Sequence, residues 1–267
     1  MSEKNIGKEK CNLNSRYDRQ TLFYPIGEQG QAGLARSRVT IIGCGGLGSV
    51  AANNLARAGT GFIRLIDRDM VDFSNLGRQV LYDEIDASEN RPKALAAKQK
   101  LGAINSAITI EALVEAVNQA NAGKFIEGSD LVIDGTDNIE TRFIINEACV
   151  KAKIPWVYGS VAASYGMSAV IMPGKTPCFY CIFGPSAAKY NAYSESSANV
   201  GILNTAVNVI SSIQCTEAIK YLTGNIDAIT EGLIIFDIWD TSLEIVKTDA
   251  AKGKKQCPVC GLKINNI

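Results

Sequence analysis

The sequence predicts an α/β fold, a mainly parallel sheet extended late in the chain by antiparallel strands. Three observations carry this. First, apolar runs and helical stretches alternate as far as Val161, the order that builds parallel strands joined by helices. Second, the apolar run 39–42 enters Gly43-Cys44-Gly45-Gly46-Leu47-Gly48, a helical stretch 49–58 follows, and a second apolar run 62–66 ends at Asp67, 19 residues after Gly48. Strand, glycine turn, helix, strand and acid in that order make a Rossmann-like nucleotide-binding unit. The glycines let the backbone approach phosphates, the helix amino terminus offers free N–H groups, and the acid accepts from ribose hydroxyls. Third, a turn at Ala163-Ser164 and a hairpin of 233–239 with 242–247 predict antiparallel pairing beyond the parallel half.

Taken in order, the sequence predicts a polar, mobile tail over residues 1–15 and a single domain over residues 16–267. Arg16-Tyr17-Asp18-Arg19-Gln20 and the apolar Leu22-Phe23-Tyr24 precede a short helix at 27–37. The polar loop 69–79, with Asp69, Asp72, Asn75 and Arg78, follows the carboxyl end of a strand, where ligands bind in open α/β sheets. Pro92 stands at the tolerated early position of a helix over 93–101, and 107–113 reads as a strand. The buried strand 130–135 runs into Asp134-Gly135-Thr136-Asp137-Asn138. A helix at 139–151 and strands at 155–161 and 165–172 follow, so the nucleotide-binding half spans 38–161. Residues 184–200 show no period and predict a mobile crossover loop before a long apolar helix, 201–222.

Composition narrows the chemistry. The 267 residues carry 27 Lys+Arg and 27 Asp+Glu, so no overall field draws the chain to nucleic acid or to a membrane. No apolar run approaches the roughly 20 residues of a membrane span, the start of the chain has no secretory character, and the expected location is cytoplasmic. Histidine is absent, which removes histidine bases and histidine metal ligands. Of eight cysteines, Cys178/Cys181 and Cys257/Cys260 form two Cys-x-x-Cys pairs. In a cytosolic chain these favour one metal held by four thiolates over disulfides, although their separation exceeds ordinary zinc-ribbon spacing, and free or redox-active pairs remain open. Cys149 and Cys215 fall within apolar helical stretches and read as core.

Strand-end loops bring Asp67, then Asn75 and Arg78, then Asp137 to one predicted sheet edge, and Lys93 starts a helix nearby. A glycine cradle with two cations and two carboxylates suits a triphosphate with Mg2+. Hydride transfer to a nicotinamide would not need the cations, so a dinucleotide oxidoreductase rests on the glycine fingerprint alone.

These residues resemble the MoeB/ThiF/HesA family, bacterial relatives of ubiquitin-activating enzymes. The resemblance is carried by Arg16-Tyr-Asp-Arg-Gln20, the glycine turn, Leu65-Ile-Asp-Arg-Asp69, Ser74-Asn-Leu-Gly-Arg-Gln79, Arg91-Pro-Lys93, Asp134-Gly-Thr-Asp-Asn138, both cysteine pairs and Phe236-Asp237. The resemblance implies ATP- and Mg2+-dependent adenylation of the C-terminal glycine carboxylate of a small β-grasp carrier protein ending in Gly-Gly, for sulfur transfer in molybdopterin, thiamine or related biosynthesis. It implies that Gly43, Gly45, Gly46 and Gly48 cradle phosphate and that Asp67 binds ribose. Asn75, Arg78 and Lys93 would contact phosphates, Asp137 would hold Mg2+, and Asp69 and Asn138 would complete the nucleotide site. Arg19 resembles an arginine that enters a neighbouring subunit's site, which implies a homodimer, and Cys178, Cys181, Cys257 and Cys260 would bind one structural zinc.

One departure matters. Many relatives carry a cysteine in the crossover loop that links covalently to the carrier. Here the stretch reads Ser194-Glu-Ser-Ser197-Ala-Asn-Val-Gly201, with Ser197 roughly where the thiol would stand. A serine without an adjacent base is a poor substitute. The expectation is therefore adenylation without an enzyme thioester, the adenylate passing to a separate sulfur donor. The alternatives are adenylation of a ribosomal peptide's C terminus, against which the short amino terminus speaks, and a noncatalytic partner of the same fold.

Overall fold

A computed structural model describes residues 16–184, 201–248 and 255–264. The short α1 (Asp18–Thr21) and α2 (Gly27–Arg36) lead into β1 (Arg38–Ile42), α3 (Gly46–Ala58) and β2 (Phe62–Ile66). Then come α4 (Glu84–Ser88), α5 (Lys93–Ile104), β3 (Thr109–Leu113), α6 (Ala122–Ile126), β4 (Leu131–Asp134), α7 (Ile139–Ala152), β5 (Trp156–Ala162) and β6 (Tyr165–Ile171). Last are α8 (Phe179–Phe183), α9 (Asn204–Leu222), β7 (Leu233–Asp237), β8 (Ser242–Val246) and the small ladder of β9 (Lys255–Gln256) with β10 (Lys263–Ile264).

Eight strands form one sheet in the order β3-β2-β1-β4-β5-β6-β7-β8. The first five in that order run parallel, and β5 to β8 pair antiparallel, as the sequence predicts. The central strands are apolar without alternation because helices cover both faces. Ile41 and Ile133 join Leu55, Ala97 and Cys215 on the side of α3, α5 and α9. Their neighbours Ile42 and Val132 join Phe125, Ile145 and Phe179 on the side of α6, α7 and α8. Successive side chains point to opposite faces, so one run of isoleucines and valines fills both cores.

Several boundaries differ from expectation. α3 begins at Gly46, not Ser49, because the glycine turn closes directly into the first helical turn, with Ser49 N donating to Gly45 O at 2.9 Å. Gly59 in the left-handed region (φ 87°) ends it. The long apolar helix starts at Asn204, not at 201, because Gly201 has φ 74° and Ile202 bridges to Ala163. The helices α1, α4, α6 and α8 are four or five residues long, too short for apolar periodicity to announce them. Of the expected crossover loop, Gly184 caps α8, and residues 185–200, Ser197 among them, lie outside the described residues, as do the tail 1–15 and Cys11. Among the described residues no helix is long and apolar enough to cross a membrane.

Candidate functional site

The chain leaves β1 toward β2 and β3 on one side and resumes at β4 on the other. The crevice between the carboxyl ends of β1 and β4 is thus a topological switch point, where open α/β sheets bind ligands. Its two walls are the glycine turn and the 134–138 loop; Gly135 N donates to Ile42 O across them, and Gly43 N donates to Ile66 O, tying the turn to the end of β2, both at 2.8 Å.

The four glycines divide their work. Gly43 has φ 88°, and a Cβ on it would come 2.6 Å from Gly135 O. A Cβ on Gly48 would overlap Gly43 O. These two let the turn pack against β4 and the helix against the turn. At Gly45 a Cβ would meet only Gln79 Nε2, at 3.8 Å, so open space faces the backbone there. Gly46 is roofed by Val207 of α9, whose Cγ1 would lie 3.1 Å from an added Cβ. The cradle assigned from sequence to all four glycines is therefore open chiefly at Gly45, where the amino terminus of the 13-residue α3 points.

Asp67 ends β2 beside this cradle. Its Oδ2 accepts from Cys44 N at 2.7 Å and its Oδ1 from Asp69 N at 2.8 Å. Burial raises its pKa, and the two backbone donors and Lys93 only partly oppose this. Lys93 is buried, with Nζ 3.2 Å from Asp69 Oδ2. It is brought there because Lys93 N donates to Asp69 O (2.9 Å) and Val71 N to Arg91 O (2.8 Å), zipping the loop to the start of α5. Tyr82, which sequence reading passed over, straps the arrangement: its hydroxyl donates to Cys44 O at 2.8 Å and lies 3.3 Å from Lys93 O. Asn75 closes a single 3-10 turn whose Asp72 cap accepts from Ser74 N at 2.8 Å, and Arg78 Nη1 donates back to Ser74 O at 2.9 Å.

Across the crevice Asp137 and Asn138 are exposed, and the Asn138 side chain caps α7 by accepting from Thr141 N at 2.8 Å. Beneath them lies a network that sequence reading missed. Asp134 is fully buried; its Oδ1 accepts from Thr136 N (2.9 Å) and Thr136 Oγ1 (2.6 Å), and its Oδ2 from Arg142 Nε (2.9 Å). Arg142 Nη2 also donates to Thr136 O at 2.7 Å and Gly159 O at 3.1 Å. Burial works against the guanidinium charge, yet the Asp134 charge prevails and holds the Arg142 pKa above its ordinary value. The pair clamps the loop that carries Asp137. Arg142→Met, which strands the Asp134 charge, should lower the unfolding free energy by roughly 3–5 kcal/mol, read from denaturant midpoints. Arg142→Lys should recover part of it.

Arg19 does not join this crevice. α1 packs on the far end of α3, where Gln20 Nε2 donates to Ala58 O at 2.9 Å and the Tyr17 ring lies against Gly59. Along α3 that is about 20 Å from the glycine turn.

On the opposite side of the sheet, Cys178, at the start of α8, and Cys181 within it meet Cys257 and Cys260 from the β9–β10 turn, all four Sγ atoms within 4.8 Å of one another. The nearest approaches are 3.7 Å (Cys178–Cys181), 3.8 Å (Cys178–Cys257) and 3.4 Å (Cys181–Cys260). Thiolates at about 2.3 Å from a tetrahedral Zn2+ stand about 3.8 Å apart, so the donor set fits a closed metal site. Asn146 of α7 accepts from Phe179 N at 2.9 Å and anchors α8. The remaining described cysteines are buried: burial raises Cys44 and Cys149 and pushes Cys215 up to about 12, which leaves them inert.

A glycine turn at the switch point of a Rossmann-like sheet, with cations and carboxylates on its rims and no histidine, fits the nucleotidyltransferase class that the relatives below establish. The chain belongs to the ThiF family, whose model matches residues 17–259. It is 40% identical over 251 residues to the sulfur carrier protein ThiS adenylyltransferase of Bacillus subtilis (strain 168), covering 94% of this chain and 73% of that protein. It is 34% identical to a sulfur carrier protein adenylyltransferase of Thermus thermophilus, covering 92% of this chain and 90% of that one. Among solved structures, E. coli MccB with ATP superposes with a TM-score of 0.79 at 24% identity, over 93% of this chain and 75% of that chain, a likeness of fold.

Proposed function

We propose that the chain uses ATP to adenylate the C-terminal glycine carboxylate of a small ubiquitin-like sulfur-carrier protein ending in Gly-Gly, for molybdopterin, thiamine or related biosynthesis. The observation that carries this is the likeness to relatives named for carrier adenylation, at 40% identity over 94% of the chain. The site chemistry supports it. A carrier carboxylate oxygen attacks the α-phosphorus, a C–O–P linkage forms, the α–β bridging P–O bond breaks, and pyrophosphate leaves. No proton moves, so a chain without histidine needs no base. The work left to the protein is alignment and charge neutralisation. The glycine turn and α3 receive phosphate, Asp67 and Asp69 the ribose side, and Asn75, Arg78 and Lys93 the phosphate oxygens, with Asn138 beside them. Mg2+ held by Asp137 would neutralise phosphate charge and aid pyrophosphate departure. Zn2+ at the four cysteines would be structural. Arg19, remote from its own crevice, would serve the crevice of a second copy, in a homodimer. The expected setting is the cytoplasm, without nucleic acid or membrane.

The test is ATP–pyrophosphate exchange with candidate Gly-Gly carriers; silence with every candidate would remove the carrier substrate, and exchange with a peptide instead would favour the peptide reading. Between Cys181 and Cys215 the chain has no cysteine, so the adenylate would pass to a separate sulfur donor. Ser197→Ala should therefore leave the exchange rate unchanged and yield no difference in carrier mass adducts by mass spectrometry. A dead variant would contradict the noncovalent route.

A further inference from the structure

Gln79 is 4% exposed, and its Oε1 has no hydrogen-bond partner among the described residues. Its backbone is pinned, with Gln79 N donating to Asn75 O at 3.0 Å. From there the side chain reaches over the amino terminus of α3: the one atom that a Cβ on Gly45 would meet is Gln79 Nε2, at 3.8 Å. Burying a carboxamide with unmet hydrogen-bonding capacity is destabilising. A methionine or leucine would fill the same volume without that cost. The carboxamide instead closes over the open part of the cradle, where the helix end already favours an anion. A half turn about the terminal torsion exchanges its nitrogen and oxygen ends, and an anion selects the nitrogen.

We propose that Gln79 binds substrate directly: its Nε2 donates to a phosphate oxygen of the nucleotide seated at Gly45 and Gly46. It adds a donor without adding charge, while Arg78 and Lys93 supply charge. The proposal rests on the nucleotide site described above, and its test separates the two. Titration calorimetry on the full chain, without carrier, measures binding of adenosine, AMP and ATP with Mg2+. Gln79→Met should weaken AMP and ATP by about tenfold or more, the loss of one hydrogen bond to a charged group. It should leave adenosine within about twofold and keep or raise the thermal midpoint of the nucleotide-free protein, because an unmet buried polar atom is removed. Gln79→Asn keeps the amide but withdraws it by one methylene, and should show the same phosphate-selective loss if the methionine variant folds poorly. Wild-type affinity for AMP in both variants would overturn the proposal. So would an equal weakening of all three ligands, which would mark a structural role. A wild-type chain that binds no nucleotide would overturn this proposal and the site together, whereas binding in the wild type with no change in the variants would overturn this proposal alone.

Discussion

Replacing Asp137 with alanine should abolish ATP–pyrophosphate exchange, with a fall on the order of 10²–10³-fold or more, while the thermal midpoint moves by no more than about 1–2 °C. The two expectations separate because of where the residue stands. Asp137 is exposed at the lip of the crevice. The loop beneath it is held by the Asp134 carboxylate, which takes Thr136 and Arg142 as donors, so the loop does not need the Asp137 side chain for its shape. Removing the carboxylate takes a charge from the proposed phosphate site and leaves the scaffold. Asp137→Asn is the sharper variant. It keeps size and hydrogen bonding and loses only the charge, so it should be nearly as inactive as alanine if the carboxylate serves a cation. An alanine variant that exchanges within about tenfold of wild type would remove Asp137 from the machinery.

Loss of a metal held by the four cysteines should be a large stability effect, comparable to that of Arg142→Met. Purified protein should carry one zinc per chain by elemental analysis. Stripping it with a strong chelator, or Cys257→Ser, should lower the thermal midpoint on the order of 10 °C. The structural reason is that the cluster is a staple between the core and the end of the chain. α8 buries Phe179 and Phe183, and Phe179 lies 5.8 Å from Trp156 and 5.2 Å from Tyr158. The β9–β10 turn reaches this aromatic core through Cys257 and Cys260. The crevice lies at the other side of the strand ends, so nucleotide affinity well below the transition temperature should change little. Cys149→Ser and Cys215→Ser, which alter buried thiols outside the cluster, should retain the zinc. A chain that holds no zinc and melts unchanged in chelator would leave the four cysteines as packing alone.

Much of the site was legible because it obeys local rules. The glycine turn and Asp67 belong to one strand–helix–strand unit with a short-range spacing. The polar loops after β2 and β4 are legible as ligand loops because strand ends in a parallel sheet share an edge. What escaped were partners far apart in the chain. Arg142 looked like any arginine on a helix, and its pairing with Asp134 appears only when α7 folds back over β4. The available signal was an acid at the end of an apolar strand with an arginine about one turn into the next helix. Tyr82 carried no signal of its own, and Gln79 was legible only as the end of the motif 74–79, because nothing local shows that one hydroxyl bridges the glycine turn to α5 or that one carboxamide overhangs Gly45.

From the residues alone came the parallel half, the antiparallel extension, the glycine turn, the resemblance to a family of adenylating enzymes, and the missing loop cysteine. Each depends on periodicity, spacing or the identity of a single residue, which survive without coordinates. Folding decided the rest. It divided the glycines into two that pack and one that faces open space, buried Lys93 against Asp69, and gathered two distant cysteine pairs into one cluster. It also carried Arg19 a helix length away from the crevice. Those outcomes depend on which surfaces meet across the sheet, and burial and distance exist only once they have met.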